Sequence, residues 1–289
     1  MTVAIVVPTL NCAGTIERAL TSVFEQDAAV ELVVVDGGST DGTLEVLGRH
    51  RARLAHLVVE PDGGHYDAVN KGFALCRGEV MGWLGGDDFL MPGALALVTR
   101  LFADWPRIEW LSSTVPGILT PEGHVTISPN RPGFSRDALL DGAYGPGHSP
   151  RFVGAIQQEG TFWRRSLWDK AGGRLDTRWR HAADFELWTR FWRHAELFGL
   201  RSVLAVFARR PGQISAAAAY REEVAAILER ARAEANHDDT PAGPDGLVRH
   251  EGWFLTGHPL APARLPFAVA TEDGPFAAMK SFIRMGSVA

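Results

Sequence analysis

The sequence predicts an α/β fold, a mostly parallel sheet flanked by helices, on three observations. Short apolar runs at residues 3–7, 31–35, 54–60 and 79–84 have the character of strands buried on both faces. Amphipathic segments at residues 16–24, 43–50, 65–76 and 92–102 follow them in turn. The loops between are short and rich in Gly, Pro, Asp and Ser. Strand and helix alternating in this way specify parallel pairing with right-handed crossovers.

Each element has its own signature. The first strand is closed by Pro8, and Ile16, Ala19, Leu20, Val23 and Phe24 then fall on one helical face. The second strand ends in Asp36-Gly37-Gly38-Ser39, and a short helix follows with Leu44 and Leu47 turned inward. The third ends in the turn Pro61-Asp62-Gly63-Gly64, before a helix with Tyr66, Val69 and Phe73 on one face. The fourth ends in Gly85-Gly86-Asp87-Asp88. The period then breaks, and residues 108–150 read as a fifth strand, a hairpin and a long loop of the kind that forms lids or binding surfaces. Beyond it the pattern suggests a helix over 162–170, a helix over 183–195 with Phe185, Trp188 and Trp192 inward, a strand over 203–207 and an amphipathic helix over 221–236. Residues 237–246 read as a linker, and 247–289 show little periodicity.

Composition bounds the function. The chain has 289 residues, 46% hydrophobic and 22% charged, with a net charge of −5, which gives no basic footprint for nucleic acid. Cys12 and Cys76 form no C-x-x-C pair, which argues against a zinc site or a disulfide framework and fits a reducing compartment. No signal-peptide pattern opens the chain and no apolar run approaches the ~20 residues of a membrane span. A cytoplasmic location is expected, with residues 276–285 a candidate for peripheral contact at the inner face of the membrane or for a homodimer contact.

Parallel topology brings the carboxyl ends of the strands to one edge, so Asp36, Glu60, Asp62, Asp87 and Asp88 converge on one cleft. Adjacent aspartates at a strand end repel unless a cation or donors offset them, which suggests a divalent metal holding a phosphorylated substrate. An Asp-Asp turn with one Asp capping the next helix is the plainer alternative. No G-x-G-x-x-G, P-loop, H-E-x-x-H or G-x-S-x-G pattern is present.

The runs Pro8-Thr9-Leu10-Asn11, Asp36 to Thr43, Glu60 to Gly72 and Gly85 to Asp88, followed by Gln157 to Ser166 and Asp184-Phe185-Glu186-Leu187-Trp188, resemble family 2 glycosyltransferases of GT-A fold. The likeness spans about residues 3–216. It implies a GT-A (Rossmann-like) sheet over 1–216, with a nucleotide-sugar half at 1–105 and a mixed acceptor half at 106–216, and a helical C-terminal extension over 217–289. It also implies an inverting transfer of sugar from a nucleotide diphosphate, with UDP expected, to a glycan or lipid-linked glycan acceptor.

Roles follow from that resemblance. Asp36 would accept a hydrogen bond from the base, with Thr9 lining the same pocket and Glu60 flanking it. Lys71, near Asp67 on one helical turn, would meet the diphosphate as a point charge. Gly86-Asp87-Asp88 stands where the family carries Asp-x-Asp, which makes Asp88 the ligand of Mn²⁺ or Mg²⁺ and leaves Asp87 to the ribose or donor sugar. Asp184 stands where the family carries its base; Glu186 is the alternative, and the two cannot both face the site on one helix. Arg209 and Arg210 are candidates to close over the diphosphate. Trp163, Trp168, Trp179, Trp188 and Trp192 are candidates for an acceptor platform or for core, and His148 and His181 for the site's margin. A nucleotidyltransferase and a catalytically silent nucleotide-sugar binding module remain the alternatives.

Overall fold

The computed structural model describes residues 1–127, 133–146, 152–210, 213, 218–238, 240, 247–256 and 261–270. Its first half alternates β1 (Val3–Thr9), α1 (Ile16–Phe24), β2 (Val30–Asp36), α2 (Thr43–His50), β3 (His56–Val59), α3 (His65–Leu75), β4 (Val80–Trp83), the two-residue β5 (Phe89–Leu90) and α4 (Ala94–Asp104). Then come β6 (Trp110–Ser113), β7 (Gly117–Leu119), β8 (Val125–Ile127), α5 (Arg136–Leu140), β9 (Thr161–Arg164), α6 (Arg165–Lys170) and α7 (Ala183–Phe191). The chain continues through β10 (Leu197–Leu200), β11 (Ala205–Ala208), α8 (Ala218–Ala235), β12 (Leu247–Thr256) and β13 (Ala261–Ala270).

Among the described residues these strands form a nine-stranded sheet, ordered β13-β12-β10-β6-β9-β4-β1-β2-β3, and a four-stranded sheet, ordered β5-β11-β7-β8. β1 lies third from the β3 edge, parallel to β2 from Val3↔Val30 to Thr9↔Asp36 and parallel to β4 from Val3↔Val80 to Val6↔Trp83. Every residue of it is buried. Side chains alternate across a strand, so Val3, Ile5 and Val7 enter one core with Leu20 of α1 and Val98 of α4. Ala4 and Val6 enter the other core, with Trp83, Trp163 and Trp188. In that second core Trp188 stacks on Trp83 at 6.0 Å and 11°, and Trp163 meets Trp83 edge-on at 5.5 Å.

The predicted fold class holds, with several corrections. The expected helix over 162–170 is half strand: β9 pairs antiparallel with both β4 and β6, so sheet pairing overrides the apolar spacing, and only α6 is helical. β10 was not anticipated, and the strand expected at 203–207 begins at Ala205. The C-terminal extension is not simply helical. α8 is followed by the antiparallel hairpin β12–β13, and β12 pairs parallel with β10, so the large sheet continues into this segment. The tail at 276–285 and most of the predicted linker lie outside the described residues.

Close packing of α3 on β1 rests on Gly72. A Cβ there would come within 2.4 Å of Val6 Cγ1 and 2.9 Å of Cγ2. Alanine gains ~1 kcal/mol over glycine in a helix, but overpacking of a β-branched residue fixed in a central strand costs ~1–3 kcal/mol in most cores, and at 2.4 Å the clash wins. Gly72→Ala is therefore expected to lower Tm by up to roughly 8 °C in a thermal melt; an unchanged or raised Tm would show that α3 is free to shift.

Candidate active site

The carboxyl ends of β1, β2, β3 and β4 open on one edge, and the acidic loops gather there. The loops after β1 and β2 are tied together by hydrogen bonds. Ser39 Oγ donates to Asp36 Oδ2 at 2.6 Å and accepts the Asn11 N–H at 2.8 Å, while Asn11 Oδ1 accepts the Thr40 N–H at 2.9 Å. Asp36 Oδ1 accepts the N–H groups of Gly38 at 3.0 Å and Ser39 at 2.7 Å. Asp36 is 0% exposed, so its carboxylate holds the loop together and does not line the pocket surface. Thr9 is its register partner; its buried hydroxyl has no hydrogen-bond partner among the described residues and lies near Gly86.

At the end of β3, Lys71 Nζ lies 2.8 Å from Glu60 and 3.5 Å from Asp67, and donates to the carbonyl of Pro61 at 3.1 Å. Its ammonium pKa is raised, chiefly by the hydrogen bond to Glu60, and Asp67 in turn accepts the Gly63 N–H at 2.9 Å. Lys71, Glu60 and Asp67 therefore brace the β3–α3 turn. A diphosphate would reach Lys71 by drawing it away from two carboxylates.

The Gly85–Asp88 turn is fastened to α1. Thr15 Oγ1 donates to the Gly86 carbonyl at 2.9 Å, and Arg18 donates to the Asp87 carbonyl at 2.7 Å. A Cβ on Gly86 would sit 3.2 Å from both Cys12 Sγ and Thr9 Oγ1, so this position is tight for anything larger than glycine. Asp87 pairs with the guanidinium of Arg210. Arg209, the other arginine expected here, donates its backbone N–H to the Leu119 carbonyl at 2.9 Å, and both arginines are exposed. Neighbours in an extended segment face opposite ways, and the register selects Arg210.

Asp88 is 3% exposed and accepts the Ala208 N–H on Oδ1 at 2.8 Å. Burial, and then the charges of Glu159 and Asp87, push its carboxyl well above the usual range. The two aspartates of the turn, with the Glu159 charge acting on Asp88 from another segment, suit a cation, although among the described residues no group of three or more His, Cys, Asp or Glu forms a cage for a metal ion. Hard cations such as Mg²⁺ and Mn²⁺ bind through one or two carboxylates completed by substrate phosphates, and the donor set fits that mode.

Asp184 stands in the first turn of α7, where Tyr66 Oη lies 3.0 Å from its Oδ1. Burial raises its pKa to about 6, against the opposing hydrogen bonds from the Phe185 N–H and the Tyr66 hydroxyl. Glu186, the alternative, is committed elsewhere: it is 3% exposed, paired bidentately with Arg190 Nε at 3.1 and 2.9 Å, and with Arg230 at 2.9 Å. His65, the residue before Tyr66, is neutral, its pKa lowered to about 4 by burial while it feels both Asp87 and Arg210. The first two residues of α3 thus join the acidic turn to Asp184. Neither His65 nor Tyr66 was assigned a role from sequence, though both lie inside the quoted 60–72 run. Trp163, Trp168, Trp188 and Trp192 are buried core and Trp179 is half-buried, so four of the five are not an acceptor platform. His181 faces Glu223, and His148 lies outside the described residues.

A family model described as "Glycosyl transferase family 2" matches residues 4–153. Over 142 residues the chain is 31% identical to a chondroitin synthase of Pasteurella multocida, covering 47% of this chain and 14% of the synthase. Over 91 residues it is 40% identical to a PGL/p-HBAD biosynthesis glycosyltransferase of Mycobacterium bovis, covering 30% of this chain and 36% of that one. This chain therefore spans only a minor part of those relatives' lengths. In three dimensions it is similar to residues 1–349 of S. aureus TarS in complex with UDP-GlcNAc, with a TM-score of 0.61 and 18% identity over 83% of this chain and 68% of that one. The mannosyltransferase PcManGT of Pyrobaculum calidifontis, in complex with GDP-Man and Mn²⁺, gives 0.56 at 24% identity over 82% of this chain and 64% of that one. These structural likenesses show a shared fold.

Asp184 and Glu186 should separate in stability. The folded pKa of Asp184 is raised, so its contribution favours folding while it is protonated and is lost as pH rises through about 6. Asp184→Asn is expected to be more stable than the parent by ~1–3 kcal/mol above that pH, with the gain vanishing near pH 4. Glu186→Gln breaks a buried ion-pair knot and should destabilise by up to ~3–5 kcal/mol, less the share of partly exposed Arg230. Urea melts at pH 4.5 and 7.5 would expose an error in either sign.

Proposed function

We propose that this chain, which belongs to glycosyl transferase family 2, is an inverting transferase. In this reading it moves a hexose from a nucleoside diphosphate, UDP being the expected nucleotide, to a hydroxyl of a glycan or lipid-linked glycan. One observation carries the reading: a carboxylate poised near pH 6 on α7 is linked through Tyr66 and His65 to an acidic, glycine-lined turn at the end of β4. The bonding changes are those of a single displacement. The acceptor oxygen forms a bond to the anomeric carbon, the bond from that carbon to the diphosphate oxygen breaks, and the acceptor's proton passes to Asp184. A base near the working pH keeps enough ionised form to accept a proton without becoming too weak to do so. A carboxylate held at about 6 meets that condition at neutral pH.

Asp88 would hold a divalent cation, Mn²⁺ or Mg²⁺, which when bound offsets charge on the departing nucleoside diphosphate. Arg210 is the cation already at this turn, and we assign it the role first expected of Arg209. Thr9 offers the buried hydroxyl for the nucleoside, while Asp36 and the Glu60–Asp67–Lys71 brace keep the pocket wall in shape. Among the described residues no helix is long and apolar enough to cross a membrane; contact with a membrane-borne acceptor at the inner face, and a homodimer, belong to this proposal and not to the geometry.

Thermal shift with UDP, GDP, CDP, dTDP and ADP, each with and without Mn²⁺, tests the donor half. A ligand at ~100 times its Kd adds ~2.7 kcal/mol to the folded state. One nucleotide, UDP, should stabilise in a metal-dependent way that Asp88→Ala abolishes; stabilisation indifferent to both would remove Asp88 from the site. Asp184→Asn should still bind nucleotide but lose ~10²–10⁴-fold in turnover of the UDP-sugar. The parent's rate should fall as pH drops below about 6. Turnover untouched by Asp184→Asn would overturn the base assignment.

A further inference from the structure

We infer that Glu223, on α8, is a positioning residue for Asp184, holding the backbone that leads into α7 and fixing where the proton acceptor stands. The inference rests on the reading of Asp184 as the base. α7 starts without a cap of its own, since its N-cap residue is Ala182, which has no side-chain acceptor. Glu223, 41 residues further along the chain, holds the backbone that leads into the helix instead. Its Oε2 accepts the N–H groups of His181 and Ala182, both at 2.9 Å. Its Oε1 accepts the Arg180 N–H at 3.1 Å and lies 3.0 Å from His181 Nδ1. Four contacts use the full acceptor capacity of one carboxylate.

The consequence reaches Asp184 through Tyr66. That hydroxyl lies 2.8 Å from the carbonyl oxygen of His181 and 3.0 Å from Asp184 Oδ1. A phenol has one proton to donate. With Asp184 ionised, Tyr66 donates to it. With Asp184 protonated, the acid donates to Tyr66, and Tyr66 turns its own proton to the His181 carbonyl. Both protonation states are then satisfied, provided that carbonyl is held within reach, and Glu223 holds it there by grasping the N–H and ring of the same residue. The titratable groups facing Asp184 are Tyr66 from α3, Tyr220 and Glu223 from α8, and His181 from the preceding loop. Glu223 is the like charge among them and raises the pKa of Asp184, whereas the Tyr66 hydrogen bond lowers it. Glu223 itself stays ionised: burial works against its charge, but its hydrogen bonds with His181 and Ala182 bring its pKa below the usual value.

Loss of the Glu223 charge lowers the Asp184 titration in either case, but a role confined to fastening α7 would alter stability and leave kcat on the pH plateau where it is. Positioning lowers that plateau. In Glu223→Gln the acid limb of the pH–rate profile should move to lower pH and kcat should fall on the order of 10- to 100-fold, with the KM for the UDP-sugar unchanged. In Tyr66→Phe the acid limb should move to higher pH. ¹³C NMR of labelled aspartate carboxyls, with Asp184→Asn identifying the resonance, reads the same titration without turnover. An unchanged plateau kcat in Glu223→Gln, in protein that still melts cooperatively, overturns the inference. Should Glu223→Gln not fold, Glu223→Asp decides: it keeps the charge but shortens the reach, and an unchanged plateau kcat there overturns it equally. The base reading fails separately, if Asp184→Asn keeps its turnover.

Discussion

The burial of β1 on both faces and both edges is the constraint on which the rest depends. A strand whose seven residues are all buried must pair on each side, and it does so in parallel with β2 and β4. Its alternation then divides the molecule. Odd residues bind the helices on one face, and even residues bind the tryptophan-rich core on the other. Parallel pairing also leaves no choice about where the acidic loops go, because strand ends of one sense share one edge. The site is thus a by-product of how an apolar run avoids water.

Gathering carboxylates at one edge has an electrostatic cost, and the loops meet it in three ways. Asp36 is offset by backbone N–H groups and a serine hydroxyl. Glu60 and Asp67 share Lys71, and Asp87 takes Arg210. Asp88 is handled differently: it takes backbone donors from Ala208 and Gly85, with the like charges of Glu159 and Asp87 beside it and burial pushing its pKa up. Desolvation on that scale leaves a site favourable to an incoming cation and phosphate. Asp184, on the other wall, is likewise desolvated, but it is buffered by a hydroxyl that accommodates either protonation state.

Much of this was legible in the residues. Parallel strands buried on both faces announce themselves locally, so β1 to β4 and their helices could be read with small boundary errors, as could the convergence of Asp36, Glu60, Asp87 and Asp88. What escaped depended on distant partners. β9 is a strand because β4 and β6 flank it, and nothing within Thr161–Arg164 says so. β13 carries Pro262 and Pro266, which argue against a strand except at a sheet edge, and β13 is an edge. Asp36 and Lys71 lie in the loops where they were expected, but their partners Ser39 and Glu60 could not be read, a matter of side-chain reach that spacing does not encode. The choice of Arg210 over Arg209 needed the register of one extended segment, and Glu223 carries no mark of its role in its own helix.

The insertion of β9 between β4 and β6 also bears on the order in which the molecule can be made. As the chain leaves the ribosome, β4 and β6 emerge first and cannot complete their pairing until residue 164 has followed them out. β6 then waits again, for β10 at Leu197–Leu200, and β10 for β12. Through that interval one side of β4 presents unpaired backbone, and Trp83 lacks the rings of Trp163 and Trp188 that later enclose it. The stretch matched by the family model, residues 4–153, thus contains β4 and β6 but not the strand that joins them.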